Sequence, residues 1–155
     1  MNPLRRLAIH LGARPWLPRH ARVIVGVDRA IQWLTRGRLT LLTASGLPEL
    51  MLTVVGRKTG VPRTTPLLCV PYDGGWLVAG SNWGNPEPPA WVHNLNAVNE
   101  ATVRFRGTVT AVSVRIAEGA EREAAWAALV ATWPNYDLYA ERIEREIPVF
   151  ILMPT

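Results

Sequence analysis

Asp73-Gly74-Gly75 stands between two apolar runs, RTTPLLCVPY and WLVAGS, and this triplet limits the fold more than any other feature. Asp-Gly supplies the positive φ angles of a tight two-residue hairpin, so the flanking runs must pair antiparallel. Around it, LMLTVVG (50–56) ends at a second glycine turn. ATVRFRGTVTAVSVRIAE breaks near Gly107 and alternates at Val103, Phe105 and Val109, while IPVFILMP closes the chain as a last strand. Helical spacing takes over elsewhere. Val23, Ile24, Val27, Ala30, Ile31 and Leu34 mark an amphipathic helix from His20 to Arg36. Pro88 and Pro89 fit the first turn of a helix that buries Trp91, Leu95 and Val98. A third helix, Ala120 to Thr132, turns Ala125, Ala128 and Leu129 inward, and a shorter one runs from Tyr136 to Arg145. The pattern predicts an α+β, mainly β fold: a small closed or split β-barrel of about six strands with inserted helices and an N-terminal helix.

A chain of 155 residues fits one domain that buries about 70% of its unfolded surface. Within it, residues 1–40 form a basic N-terminal arm and amphipathic helix, and residues 41–155 the barrel. Residues 1–19 carry Pro3, Pro15 and Pro18 and read as irregular. Residues 1–40 hold eight arginines and one acid, Asp28. That excess admits packing of the helix on its own domain or contact with an anionic membrane surface. No apolar run reaches the length of a membrane span and no signal peptide is evident. The single cysteine, Cys69, lies among Leu67, Leu68 and Val70 and agrees with a reducing cytoplasm. A cytoplasmic protein, peripheral on the inner face of the cell membrane if the arm binds lipid, is the expectation.

The chemistry concentrates in three stretches. GRKTGVPR holds the only lysine, Lys58, between Arg57 and Arg63, with the Thr59 hydroxyl and glycine-freed N–H groups beside them. It suits either a phosphate site or a solvated basic turn; it is not a P-loop. AGSNWGNPEPPAWVHNLN puts small residues at Ala79, Gly80 and Ser81, where a flat ligand can approach the backbone, ahead of a helix bearing His93 and Asn94. Ser81 and His93 lack the elbow and acid of a hydrolase, and His10, His20 and His93 lack metal-ligand spacing. TWPNYDLY sets Trp133, Tyr136 and Tyr139 at intervals of three, as core packing or as a cover for a planar ligand. RNA-recognition aromatics, zinc spacing and helix-turn-helix signals are lacking, so no nucleic acid is expected.

In this order, LTVVGRKTGVPRTTPLL, LVAGSNWGNPEPPAWVHNLNAVNEATVRF and ATWPNYDLYAERIEREIPVFIL resemble the deazaflavin-dependent nitroreductase family, oxidoreductases that use coenzyme F420. The resemblance covers roughly residues 40–153. It implies a split barrel related to FMN-binding folds and an 8-hydroxy-5-deazaflavin cofactor with a phosphodiester and glutamate tail. By the family pattern, Arg57, Lys58 and Thr59, then Arg63, Thr64, Thr65, Pro66, Leu67 and Leu68, hold the phosphate and ribityl side. Ala79, Gly80, Ser81 and Asn82 line the ring; Ala90, Trp91, Val92, His93 and Asn94 close the other flank, and Tyr136 falls over the ring. Ser81, Tyr136 and Tyr139 match substrate-side positions, with Trp133 on the same edge in place of an aromatic bearing a hydroxyl. The resemblance implies hydride transfer from reduced cofactor to a hydrophobic quinone, enone or nitroaromatic. FMN, whose phosphate also suits the basic turn, is the alternative cofactor. A non-enzymatic basic module on the same barrel is a further alternative, and homodimerisation is common among such barrels.

Overall fold

The computed structural model describes residues 2–35 and 40–155. The chain divides into two compact units, Met1–Pro48 and Glu49–Thr155, where the sequence placed a line at residue 40 within one domain.

The first unit is helical from the start, which corrects the irregular arm expected for residues 1–19. Helix α1 (Pro3–Gly12) begins because the Asn2 side chain accepts the Leu4 N–H and Pro3 takes the first helical position, where no N–H is needed. Pro15 and Pro18 follow the helix, so the prolines bracket it rather than break it. A 3₁₀ turn (Leu17–His20) leads into α2 (Ala21–Leu34); the expected helix end at Arg36 lies outside the described residues. Helix α3 (Leu41–Ala44) is capped by Thr40 and Thr43, and its first N–H goes to Asp28 Oδ1 at 2.8 Å. The one acid of the basic segment is therefore engaged within its own unit. No residue of α2 is buried, and Trp33 is 80% exposed. Within the unit its partly buried residues are Ala21, Ile24, Asp28, Ile31 and Gln32, so the helix packs along one side and is exposed along the rest.

The second unit is a seven-stranded antiparallel sheet with strand order β2-β1-β5-β6-β7-β4-β3. The strands are β1 (Glu49–Val55), β2 (Pro62–Leu68), β3 (Val70–Tyr72), β4 (Gly75–Ala79), β5 (Glu100–Phe105), β6 (Thr108–Ile116) and β7 (Val149–Pro154). Seven replace the expected six because the run 63–73 is two strands, parted at Cys69. These halves are joined through one residue yet occupy opposite edges of the sheet. Two Cα–Cα steps span only about 7 Å, so the sheet has to curl until its edges meet at Cys69. This closure makes the split barrel.

Local chemistry sets the turns. Asp73-Gly74 and Arg106-Gly107 each take two successive positive φ angles, the backbone that a two-residue hairpin demands. Strand β1 alternates buried and partly exposed residues, placing Leu50, Leu52 and Val54 inside. They join Val78, Val103, Val112, Phe150 and Leu152 in the core, each buried aliphatic side chain adding about 1.5–3 kcal/mol. Helix α4 (Ala90–Leu95) plugs this core with Trp91, Val92 and Leu95. Pro89 is its N-cap and Pro88 precedes it, so neither proline enters the first turn as expected. Helix α5 (Gly119–Thr132) packs on β3, β4 and β7 through buried Ala125 and Leu129. Helix α6 (Asn135–Glu141) is shorter than the sequence suggested and lies against the loop after β4.

Candidate functional site

The basic turn between β1 and β2 closes on itself. Gly56 N–H donates to Val61 C=O at 2.9 Å, Gly60 N–H to Gly56 C=O at 2.8 Å, and Val61 N–H to Thr59 Oγ1 at 3.3 Å. A side chain at Gly56 would sit 2.7 Å from Thr59 Oγ1 and 3.2 Å from Val61 O, so only glycine fits. The turn is tied to α4 by one bond: Arg57 N–H donates to Asn94 Oδ1 at 3.1 Å. Arg57, Lys58 and Arg63 all point into solvent, and none has an ion-pair partner among the described residues. Three cations near one another with no carboxylate to neutralise them form a place for a polyanion.

Strand alternation divides the residues that follow. Thr65 and Leu67 stand opposite Leu52 and Leu50, on the face that lines the core, while Arg63, opposite Val54 at the open end of the strand, is exposed. Thr64, Pro66 and Leu68 lie on the other face, where Thr64 and Thr53 share a hydroxyl–hydroxyl bond of 2.8 Å. A ligand on one face therefore meets alternate side chains of this run. On α4, Trp91 packs against Phe150 with ring centroids 5.8 Å apart, and Val92 supports Gly80, where a Cβ would come within 2.5 Å of Val92 Cγ2. Ala90 and His93 are exposed, and Asn94 is left to hold the basic turn.

The loop after Ala79 is built differently. Asn82, Trp83 and Gly84 are consecutively left-handed, with φ of 47°, 52° and 76°. For a tryptophan this is a true outlier, costing about 1–2 kcal/mol, and such strain gathers at ligand sites. Asn82 Nδ2 donates to Glu87 C=O at 2.7 Å. Gly84 lies against the Tyr139 backbone, where a Cβ would meet Tyr139 Cα at 3.2 Å. The loop's main restraint comes from a distant residue. Arg145 donates to the carbonyls of Gly80 (3.1 Å), Ser81 (3.0 Å), Asn85 (3.1 Å) and Pro86 (2.9 Å). Arg145 was invisible to sequence reasoning, as was Trp83, because neither carries a local motif.

The three aromatic candidates are all buried but unequal. Tyr139, 1% exposed, has its hydroxyl satisfied by the Trp133 indole and the Asn135 side chain. Burial raises its pKa; those two bonds and the Arg142 charge oppose the rise. Tyr136, 4% exposed, stacks obliquely on Trp126 at 5.9 Å and meets Tyr139 edge-on at 6.3 Å. No hydrogen bond of the fold reaches its hydroxyl among the described residues, and the same holds for the Ser81 hydroxyl. Burial drives the Tyr136 pKa well above its ordinary value, with Tyr139 and Cys69 adding to the effect, so the phenol keeps its proton at neutral pH and is a donor. Neither hydroxyl oxygen is among the fully buried atoms that lack a partner, so each keeps some access to the outside and is open to a ligand. Unpaired cations, a glycine-floored approach at Gly80 and two hydroxyls open to a ligand fit a flat polyanionic cofactor. No group of metal-ligating side chains occurs among the described residues.

Comparison with known proteins identifies the family. The family model for F420H(2)-dependent quinone reductase matches residues 22–154. An F420H(2)-dependent quinone reductase of Mycobacterium tuberculosis is 33% identical over 144 residues, 88% of this chain and 95% of that protein. A solved F420-H2 dependent reductase, FDR-A, superposes with a TM-score of 0.64 at 34% identity, covering 68% of this chain and 93% of its own. A structure described as a domain-swapped dimer superposes at 0.65 with 30% identity, covering 86% and 98%. The chain belongs to the F420H(2)-dependent quinone reductase family, and coenzyme F420 is its cofactor.

Proposed function

We propose that this enzyme transfers a hydride from reduced coenzyme F420 to a hydrophobic quinone held beside Ser81 and Tyr136. The observation that carries the reading is the basic turn: three cations without carboxylate partners, tethered through Asn94 to the helix that floors Gly80. Arg57, Lys58 and Arg63 hold the phosphate and glutamates of the tail. Thr65 and Leu67 flank the ribityl chain from the interior face of β2. Ala79, Gly80, Ser81 and Asn82 lie along the ring, which only small side chains and bare backbone permit. When bound, the reduced cofactor supplies a hydride from carbon, favouring two-electron over oxygen chemistry. The Tyr136 phenol and Ser81 hydroxyl donate to the acceptor oxygen as negative charge grows there. Trp133 and Tyr139 act one layer back, as the bonded pair against which Tyr136 rests.

Fluorescence titration with oxidised F420 tests the reading. Wild-type protein should saturate, and the Arg57→Ala, Lys58→Ala, Arg63→Ala triple variant should bind about 100-fold more weakly, with a steep salt dependence in the wild type only. Equal binding by the two proteins would sink the assignment, and tightly held flavin in purified protein would point to FMN.

The exposed apolar side chains of α2, beside Arg22 and Arg29, support a second element of the same function. They suit an anionic membrane surface, where a lipid quinone resides. No helix among the described residues is long and apolar enough to cross a membrane. Co-sedimentation with anionic but not zwitterionic vesicles is expected, and Trp33→Glu should reduce it; equal pelleting with both vesicle types would remove the idea.

A further inference from the structure

The loop after β4 is held by a cation that no motif announces. Arg145 lies between Glu146 and Ile147 on one side and α6 on the other. Arg122 of α5 pins the segment, donating to Glu146 Oε1 at 3.0 Å and to Ile147 C=O at 2.9 Å. From there the Arg145 guanidinium reaches both ends of the loop at once: Gly80 and Ser81 where it leaves the sheet, Asn85 and Pro86 where it returns. Arg145 makes no ion pair among the described residues, so those carbonyl dipoles are its direct counter-charge. A planar fork of five donors suits four converging carbonyls; a lysine ammonium has three donors and no such plane.

The geometry has a consequence on the opposite side of the loop. A trans peptide holds its C=O and N–H antiparallel. Because the Gly80 and Ser81 carbonyls turn toward Arg145, the N–H groups of Ser81 and Asn82 turn away from it. Neither N–H is used by a backbone bond among the described residues. The same fork closes the ends of the left-handed Asn82-Trp83-Gly84 segment, which would otherwise be free to relax.

We propose that Arg145 is a positioning residue of the reductase site: by gathering the four carbonyls it presents the Ser81 and Asn82 N–H groups, and the Ser81 hydroxyl, to the deazaflavin ring. The assignment rests on the reading of Ala79 to Asn82 as the ring-side wall. Arg145 itself touches neither cofactor nor acceptor.

The test compares wild type, Arg145→Met and Arg145→Lys by titration with oxidised F420, by thermal melting, and by hydrogen exchange at the Gly84 and Asn85 amides. Arg145→Met should bind F420 about tenfold more weakly, the loss of charged hydrogen bonds, and its two loop amides should exchange faster. Millimolar guanidinium should restore much of the affinity, which a general loss of stability would not allow. If Arg145→Met does not fold, Arg145→Lys carries the test and should bind with intermediate affinity. A folded Arg145→Met with wild-type affinity would overturn the proposal, as would wild-type affinity in Arg145→Lys when Met fails to fold. So would a loss that guanidinium leaves untouched while the two amides stay protected. Wild-type protein that does not bind F420 would instead overturn the reading of the site, a result separate from any failure of Arg145.

Discussion

The two rims of the site solve the same problem by opposite means. Gly56 to Arg63 is a solvated turn whose shape is closed by its own backbone, from Gly56 N–H to Val61 C=O, with a single outside bond to Asn94. Gly80 to Glu87 is a strained loop whose shape is imposed from 60 or so residues away, by Arg145 and the backbone of α6. The first rim spends nothing on conformation and leaves its charges free for an anion. The second holds bulky Trp83 in a left-handed state and leaves the Ser81 and Asn82 N–H groups without backbone partners, the donors that the proposed function turns to the ligand. Attraction of charge tolerates mobility, whereas presentation of donors to a reacting oxygen requires fixed geometry.

The sharpest way to break this contrast is a matched pair of glycine substitutions. Gly60 and Gly84 both have positive φ, 69° and 76°. A Cβ on Gly60 meets nothing within 4 Å, while one on Gly84 meets Tyr139 Cα at 3.2 Å. Gly60→Ala should cost about 1 kcal/mol in urea unfolding, and Gly84→Ala about 3 kcal/mol, strain plus overpacking. Equal costs would mean that α6 does not seat the second loop.

A smaller effect separates the two tyrosines under that loop. Tyr139→Phe strands the Trp133 indole N–H and the Asn135 side chain and should cost about 2 kcal/mol. Tyr136→Phe removes a hydroxyl with no partner in the fold, so its stability should stay within about 0.5 kcal/mol of wild type while quinone reduction slows. If Tyr136→Phe keeps full kcat, the phenol is not a donor to the acceptor.

A separate effect, seen only in alkali, is a slope with pH at the seam of the barrel. Burial, with Glu49 adding and Arg106 opposing, pushes the Cys69 thiol up to about 12. Above the ordinary value of 9.0 the unfolded thiol loses its proton while the folded one keeps it. Stability associated with this group is therefore intact below pH 9 and falls as pH rises toward 12, by up to about 1.4 kcal/mol per pH unit. Tyr136 and Tyr139, also raised by burial, act in the same direction. Urea unfolding between pH 9 and 11 should show a shallower fall for Cys69→Ala than for wild type; identical slopes would mean the seam is wet.

Reading the sequence went furthest where structure is made by near neighbours. Asp73-Gly74 and Arg106-Gly107 form their hairpins, helix α5 keeps its expected span within a residue, and the basic turn is closed by bonds inside its own eight residues. Each is decided by φ preference, by 3.6-residue periodicity or by hydrogen bonds of short reach. Helix α1 was missed although its signal is local: Asn2 and Pro3 cap it, and the prolines beyond obscured that start. Membership of the family rested on motifs in order along the chain, a one-dimensional property, and so was legible before any fold.

What the tertiary structure decided is what no neighbour along the chain can supply. RTTPLLCVPYD is a single apolar-rich run in one dimension. Only barrel closure makes Cys69 the point where it divides and its halves go to opposite sheet edges. Tyr136 and Tyr139 are equivalent by spacing, and only the approach of Trp133 and Asn135 satisfies one and leaves the other open. Arg145 is one arginine among sixteen until the fold brings four carbonyls to it. The residues and their local shapes follow from short-range preferences, but satisfaction of a buried polar group depends on which distant atoms arrive beside it, and that is set by how the sheet closes.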